Sequence, residues 1–341
     1  TDHSMSEGAL VVSLGDPAGV GPELIAAAWA AREAELLPPF VVAGGAEILA
    51  AAAQSRGLSV PIREVFHPAE ALECFDFMLP VLAGADGDYH PGAPSTAGAE
   101  LALASLTEAT ELARSGDCWG LVTAPIAKGL LAEVGFDHPG QTEFVAAACG
   151  VAAEDAVMML AGPTLRTVPL TVHVALSAVP SLITTDLIVR KARIVAQALA
   201  QDYGIAAPRL AIAALNPHAG EDGRMGHEDA AIIAPAIAAL RAEGIEASGP
   251  HPADALFTPR ARATYDAALC MYHDQALVPL KALDFDQGVN VTLGLPIVRT
   301  SPDHGTAFAI AGRNVADPGA TIAAIRMAGE VAARRAGLAH D

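Results

Sequence analysis

Short apolar runs alternate with amphipathic stretches along almost the whole chain. ALVVSLG (9–15), FVVAGG (40–45) and WGLVTAP (119–125) read as strands, as do segments near 157–161, 168–175 and 209–215. CMYH (270–273) and VNVTLGLPIV (289–298) complete the set. Strands that are apolar on consecutive residues belong to a sheet covered on both faces, which is the habit of parallel sheets. Helical spacing fills the gaps. Helices are predicted from Pro22, a favoured first helical residue, over 46–54, 99–115 and 142–149, in AKGLLAEVGF (127–136), near 184–202 and 228–243, and over 320–336. The stretch GADGDYHPGAPSTAG (84–98) is rich in turn formers and reads as a long loop or a boundary. The alternation predicts an α/β fold with a mainly parallel sheet.

Composition sharpens this picture. The chain has 341 residues, enough for two domains or one large one. It is 52% hydrophobic but only 4% aromatic, so Ala, Val, Leu and Ile must build the core. The net charge of −19, from 20 basic and 39 acidic residues, argues against a nucleic-acid partner, which would meet a basic face. Cys74, Cys118, Cys149 and Cys270 form no CxxC pair and read as free thiols of a reducing cytoplasm. No apolar run reaches the ~18–20 residues that cross a bilayer. The polar start TDHSMSEG has no signal-peptide core, and the residues before Met5 are not expected to belong to the fold. A cytoplasmic protein with no membrane contact is expected.

Three histidines carry the first chemical signal. His173 in VPLTVHVA, His218 in RLAIAALNPHAG and His273 in ALCMYHDQ each close a strand-like run. Strand ends of an open α/β sheet converge on the ligand crevice. Neutral imidazole is the commonest metal ligand, and three leave a position free for substrate. Their separations of 45 and 55 residues are far too long for a zinc finger and suit a site assembled by the fold. His173 by itself is equally well read as a hydrogen-bonded core residue. The other eight histidines are not expected to bind metal: His3 and His340 lie in tails, His227 at a helix start, and His67, His90, His138, His251 and His304 in loops.

The surrounding motifs leave two readings open. GDPAGVGPEL (15–24) lacks both GK[ST] and GxGxxG, so a tight strand–helix turn competes with a phosphate cradle. HPGQTEFVA (138–146) puts Gln141 and Thr142 at a helix start, where an anion site and a simple Thr cap are both reasonable. In NPHAGEDGRMGHED (216–229), Gly220, Gly223 and Gly226 keep the backbone open beside His218, as a ligand-lining loop requires. In MYHDQALVPLK (271–281), Asp274 either caps the helix or orients a histidine, and Lys281 follows two turns later.

Together these stretches resemble the 4-hydroxythreonine-4-phosphate dehydrogenase family of vitamin B6 synthesis. GDPAGVGPE, TAPIAKG, HPGQTEF, LNPHAGEDGRMGHED, MYHDQALVPLK, GVNVTLGLPIVRTSPDHGTA and AGRNVADPGAT stand in the family's order and cover nearly the whole chain. GDPAGVGPE and HGTAFAIAGRNVADPGATI are also similar to stretches of isopropylmalate and isocitrate dehydrogenases. The resemblance implies a two-lobed α/β/α fold of that type, with NAD bound outside a Rossmann fingerprint. Residues 5–130 plus 290–341 would form the cofactor-side lobe, and 131–289 the metal and dimer side. It implies that His173, His218 and His273 bind one divalent cation (zinc, cobalt or magnesium), one histidine coming from the partner of a homodimer with a shared active site. It implies substrate contacts at Gln141, Thr142, Lys281, Asn290 and Arg299, and cofactor contacts at Gly220, Gly294, His304 and Gly305. Lys281, Asp274 and Asp254 are the implied proton-handling or orienting groups.

The implied reaction is oxidation of 4-phosphooxy-L-threonine at C3 by NAD or NADP, followed by loss of CO2 to give 3-amino-2-oxopropyl phosphate. Two departures bear on it. Gln141 stands where the family commonly has His, and Gln hydrogen-bonds phosphate without carrying charge. Ala309 stands where many relatives have Asp, which leaves NAD against NADP open. The alternatives are an enzyme of the same fold acting on D-threonate or D-erythronate 4-phosphate or on an aromatic cis-dihydrodiol carboxylate, and a non-catalytic sugar-phosphate or nucleotide binder.

Overall fold

A computed structural model describes residues 8–338. His3 and His340 lie outside the described residues. Contacts divide the chain into two units, one running through Ala153 and resuming at Leu295, the other Glu154–Gly294. Twelve strands occur among the described residues: β1 Leu10–Ser13, β2 Phe40–Ala43, β3 Ile62–Val65, β4 Leu79–Leu82, β5 Leu121–Thr123, β6 Val157–Ala161, β7 Arg166–Pro169, β8 Arg209–Ala213, β9 Glu246–His251, β10 Ala267–Cys270, β11 Val289–Leu293 and β12 Arg299–Pro302.

In the first unit the strand order is β3-β4-β2-β1-β5-β12, parallel throughout. Leu10, Val11, Val12, Phe40, Val41 and Val42 are at most 1% exposed, as unbroken apolar runs require of strands covered on both faces. Helix Thr96–Ser115 begins three residues before its expected start because Ser95 caps it, its Oγ accepting from Gly98 N at 3.1 Å. Gly116, with φ 87°, stops it. The GDPAGVG segment is the tight turn, not an open cradle. Residues 15–23 are all buried. Asp16 Oδ1 accepts from Ala18 N at 2.9 Å, and a Cβ on Gly15 (φ +72°) would stand 2.6 Å from Pro125 O.

The second unit has the order β11-β6-β7-β10-β8-β9. β6 runs antiparallel to both neighbours, and β7, β10, β8 and β9 are parallel. β3, β4, β9 and β12 escaped the sequence pattern. IREV and EASGPH are partly exposed strands at a sheet end, and LPVL carries a proline. The VNVTLGLPIV run divides: its first half is β11, and its last residues lead into β12. Gly294 sits at the break, with φ +82° and a Cβ position only 2.1 Å from Asp155 O. All four cysteines are free thiols. Burial pushes their pKa values up, that of Cys118 to about 12.

β9 ends at His251, whose Nε2 lies 2.8 Å from Ser248 Oγ. Burial holds this imidazole below its ordinary range. The unfolded chain therefore takes up a proton before the folded one does. Its destabilising effect is absent above about pH 6.5 and grows as the pH falls toward the depressed folded value. Thermal melts between about pH 7.5 and 5 should lose stability less steeply for His251→Gln than for the unaltered chain.

Candidate active site

In the second unit the parallel strands β7, β8 and β10 deliver the three histidines, each beyond the strand end rather than on it. His173 follows Pro169 by four residues, His218 follows Ala213 by five, and His273 follows Cys270 by three. The expected strand at 168–175 stops at Pro169. The outgoing segments are nevertheless laced together. Leu170 N donates to Cys270 O at 2.8 Å and Thr171 Oγ1 to Met271 O at 2.7 Å. Gln275, 8% exposed, accepts from Met271 N at 2.7 Å and donates to Ala214 O at 2.8 Å, joining the ends of β10 and β8.

This lacing brings the His173 and His273 rings to a centroid separation of 5.9 Å. Both lie on an open recess of about 380 Å³ with Tyr272, Asp274 and the apolar Val172, Val174 and Leu176. His273 is the first residue of helix His273–Asp284, and Tyr272 holds the cap position. Asp274 is thus not the expected cap. Its Oδ1 lies 2.7 Å from His273 Nδ1, the orienting arrangement that leaves Nε2 to act as a ligand. His218 is not among the residues that line this recess. Among the described residues no three His, Cys, Asp or Glu side chains gather closely enough to hold a metal. Lys281 is exposed near the end of the His273 helix, and Asp254 is exposed on the short helix Ala253–Leu256. Asn290 on β11 donates through Nδ2 to Met158 Sδ at 3.4 Å, while its buried Oδ1 has no partner.

The first unit carries a polar centre built around Arg299. Arg299, the first residue of β12, is 3% exposed. Its Nη2 donates to Thr123 Oγ1 at 2.8 Å and its Nη1 to Thr142 Oγ1 at 3.0 Å. Burial lowers its pKa to about 10, with Glu143 working the other way, so it stays cationic at neutral pH. Thr142 is therefore committed to Arg299. Gly140 occupies the cap of helix Gln141–Ala148, with no side-chain cap bond. Gln141 donates through Nε2 to Ala124 O at 3.2 Å, and its buried Oε1 has no partner. Lys128 is a basic residue the motif reading passed over. Its Nζ lies 3.3 Å from where a Cβ on Gly140 would stand, beside the start of that helix.

The residues named for the cofactor divide between the units. His304 and Gly305 belong to the first, Gly220 and Gly294 to the second. His304 Nδ1 lies 3.0 Å from Gly305 O, and its buried Nε2 has no partner. Gly305 has open space around it, whereas Gly220 and Gly294 have positive φ and close backbone neighbours that already account for glycine. No helix among the described residues is long and apolar enough to cross a membrane.

A family model described as pyridoxal phosphate biosynthetic protein PdxA matches residues 35–328. A 4-hydroxythreonine-4-phosphate dehydrogenase of Erythrobacter litoralis is 64% identical over 327 residues, covering 96% of this chain and 97% of that protein. The crystal structure of 4-hydroxythreonine-4-phosphate dehydrogenase from Klebsiella pneumoniae is similar with a TM-score of 0.84 at 35% identity, covering 95% of this chain and 98% of its own. A terephthalate 1,2-cis-dihydrodiol dehydrogenase of Burkholderia xenovorans LB400 is similar with a TM-score of 0.64 at 30% identity, covering 95% and 98%.

Proposed function

Because this chain belongs to the family of the pyridoxal phosphate biosynthetic protein PdxA and is an enzyme of the dehydrogenase class, we propose that it oxidises and decarboxylates 4-phosphooxy-L-threonine. The product would be 3-amino-2-oxopropyl phosphate, on the route to pyridoxal 5'-phosphate in the cytoplasm. A hydride leaves C3 for NAD or NADP, and the C3 hydroxyl loses its proton. CO2 then departs, and a proton returns to C2. The observation that carries this reading is the His173–His273 pair with Asp274 behind His273.

That donor set fits a divalent cation. Two neutral imidazoles suit zinc or cobalt, and magnesium is accepted where substrate oxygens complete the shell. His173 and His273 would hold it, with His218 supplied from the partner chain of a homodimer. Exposed Val174, Leu176, Val278 and Phe285 in the same unit give such a partner an apolar surface to cover. When bound, the cation supplies Lewis acidity and the nicotinamide the hydride acceptor. Arg299 offers charge to the phosphate, and Thr142 and Gln141 stand beside it. The unpartnered Gln141 Oε1, Asn290 Oδ1 and His304 Nε2 are buried polar atoms that substrate and cofactor would satisfy. Asp274 keeps His273 in one tautomer, and two groups stand as candidates to take the hydroxyl proton: Lys281 on the same helix, in its neutral amine form, and a water held by an aspartate. Asp254 is assigned to proton relay by resemblance.

The dihydrodiol dehydrogenase likeness supports a second reading, an aromatic cis-dihydrodiol carboxylate as substrate, and Gln141 in place of His keeps it in view. Incubating the chain with each substrate, NAD or NADP and zinc, cobalt or magnesium separates the two. The proposal expects reduced cofactor and CO2 in equal amounts from 4-phosphooxy-L-threonine. Turnover of the dihydrodiol alone would replace it.

A further inference from the structure

His218 opens a stretch of backbone that side chains rarely adopt. His218, Ala219, Gly220, Glu221 and Asp222 all have positive φ, at 53°, 54°, 84°, 43° and 55°. Four of the five carry a Cβ, and left-handed backbone strains each of them. Such strain persists only where the surroundings over-determine it.

The surroundings centre on Asp229, which is 1% exposed. Its Oδ1 accepts from Leu215 N at 2.8 Å. Its Oδ2 accepts from Asn216 N at 3.2 Å and from Asn216 Nδ2 at 2.9 Å. Asn216 Nδ2 also donates to Glu228 Oε2 at 2.8 Å. All three Asp229 bonds thus end on the two residues that lead into Pro217 and His218. Two glycines close on the same point. A Cβ on Gly226 would stand 2.5 Å from Asn216 Nδ2, and one on Gly220 would stand 2.9 Å from Gly226 O and 3.4 Å from Asp229 Oδ2. Both positions have positive φ, and side chains there would collide with Asn216 and with the backbone of the turn as it packs beside Asp229.

We propose that Asp229 is a positioning residue, its buried carboxylate holding the left-handed turn 218–222 and so setting the direction of the His218 imidazole. The functional half of the proposal rests on the reading of His218 as a metal ligand. The chemistry asks for a carboxylate. Both oxygens accept from N–H groups, whereas an amide in the same place would turn an NH2 group toward a backbone N–H. Glu228 is different, since a Gln there keeps an oxygen for Asn216.

Hydrogen exchange on the full chain, with cobalt(II) titration followed by its visible spectrum, tests this on Asp229→Asn, Asp229→Glu and Glu228→Gln. In Asp229→Asn, peptides covering 215–222 should exchange at least about tenfold faster while helix Ala234–Ala242 is unchanged. Cobalt affinity should fall about 10- to 100-fold. Asp229→Glu should recover part of both losses, and Glu228→Gln should stay within about threefold of the unaltered chain in each. Unchanged exchange over 215–222, or faster exchange spread equally through helix Thr185–Tyr203, would overturn the positioning role. Faster local exchange with unchanged cobalt affinity would overturn the claim on His218. If the unaltered chain bound no cobalt, the metal reading itself would fail, and the exchange rates would still decide whether Asp229 holds the turn.

Discussion

Arg299→Met lowers kcat/KM by about 30- to 5000-fold, the equivalent of about 2–5 kcal/mol for losing one partner of a buried charge pair. The guanidinium is enclosed at the start of β12, where it reaches Thr123 on one side and Thr142 on the other. Removing it takes away the charge that the proposed function assigns to the substrate phosphate and also frees the Thr142 hydroxyl. Met fills much of the same volume and carries no desolvation penalty, so the chain should still fold. Arg299→Lys should recover little. An ammonium is a point charge on a flexible stem and cannot fork between two hydroxyls as a guanidinium does. Steady-state kinetics beside thermal melts check both variants. A Met variant with kinetics within threefold of the unaltered chain would remove Arg299 from substrate binding.

His273→Ala abolishes turnover and cobalt binding, with little change in melting temperature. His273 has 36% of its side chain exposed, so truncation leaves no sealed cavity. Asp274→Asn is the graded partner of this experiment. The amide still reaches His273 Nδ1 but loses the charge that, on the proposed metal reading, would make the imidazole a better ligand. Metal affinity should fall about 10- to 100-fold without vanishing. Cobalt titration and kcat at saturating metal separate the two effects. Normal turnover of His273→Ala at saturating metal would end the metal assignment.

Much of this molecule is legible residue by residue, and the exceptions share a cause. β1 and β2 announce themselves because every residue from Leu10 to Ser13 and from Phe40 to Ala43 is buried. β3 and β9 do not. They lie at the ends of their sheets in the two units, where one edge meets solvent, so polar residues cost little there and the apolar signal fades. Asp274 was half legible. A short acidic side chain at a helix start suggests a cap, and only the hydrogen bond to His273 shows which group it serves. Gln275, Thr123 and Asp229 gave no usable signal, since nothing in their local sequence points to Ala214, Arg299 or Asn216.

The amino-acid order alone determined the α/β class, the mainly parallel pairing and the segments that bear His173, His218 and His273, because burial on both strand faces and glycine-rich strand exits are local properties written in residue type. Which of those groups meet was decided only in three dimensions. His173 and His273 come together because β7 and β10 are neighbours and hydrogen bonds lace their outgoing segments. Arg299 becomes a buried cation because a strand and a helix far from it in sequence meet around it. Proximity between distant residues depends on chain topology, and a pattern of period 2 or 3.6 carries no record of it.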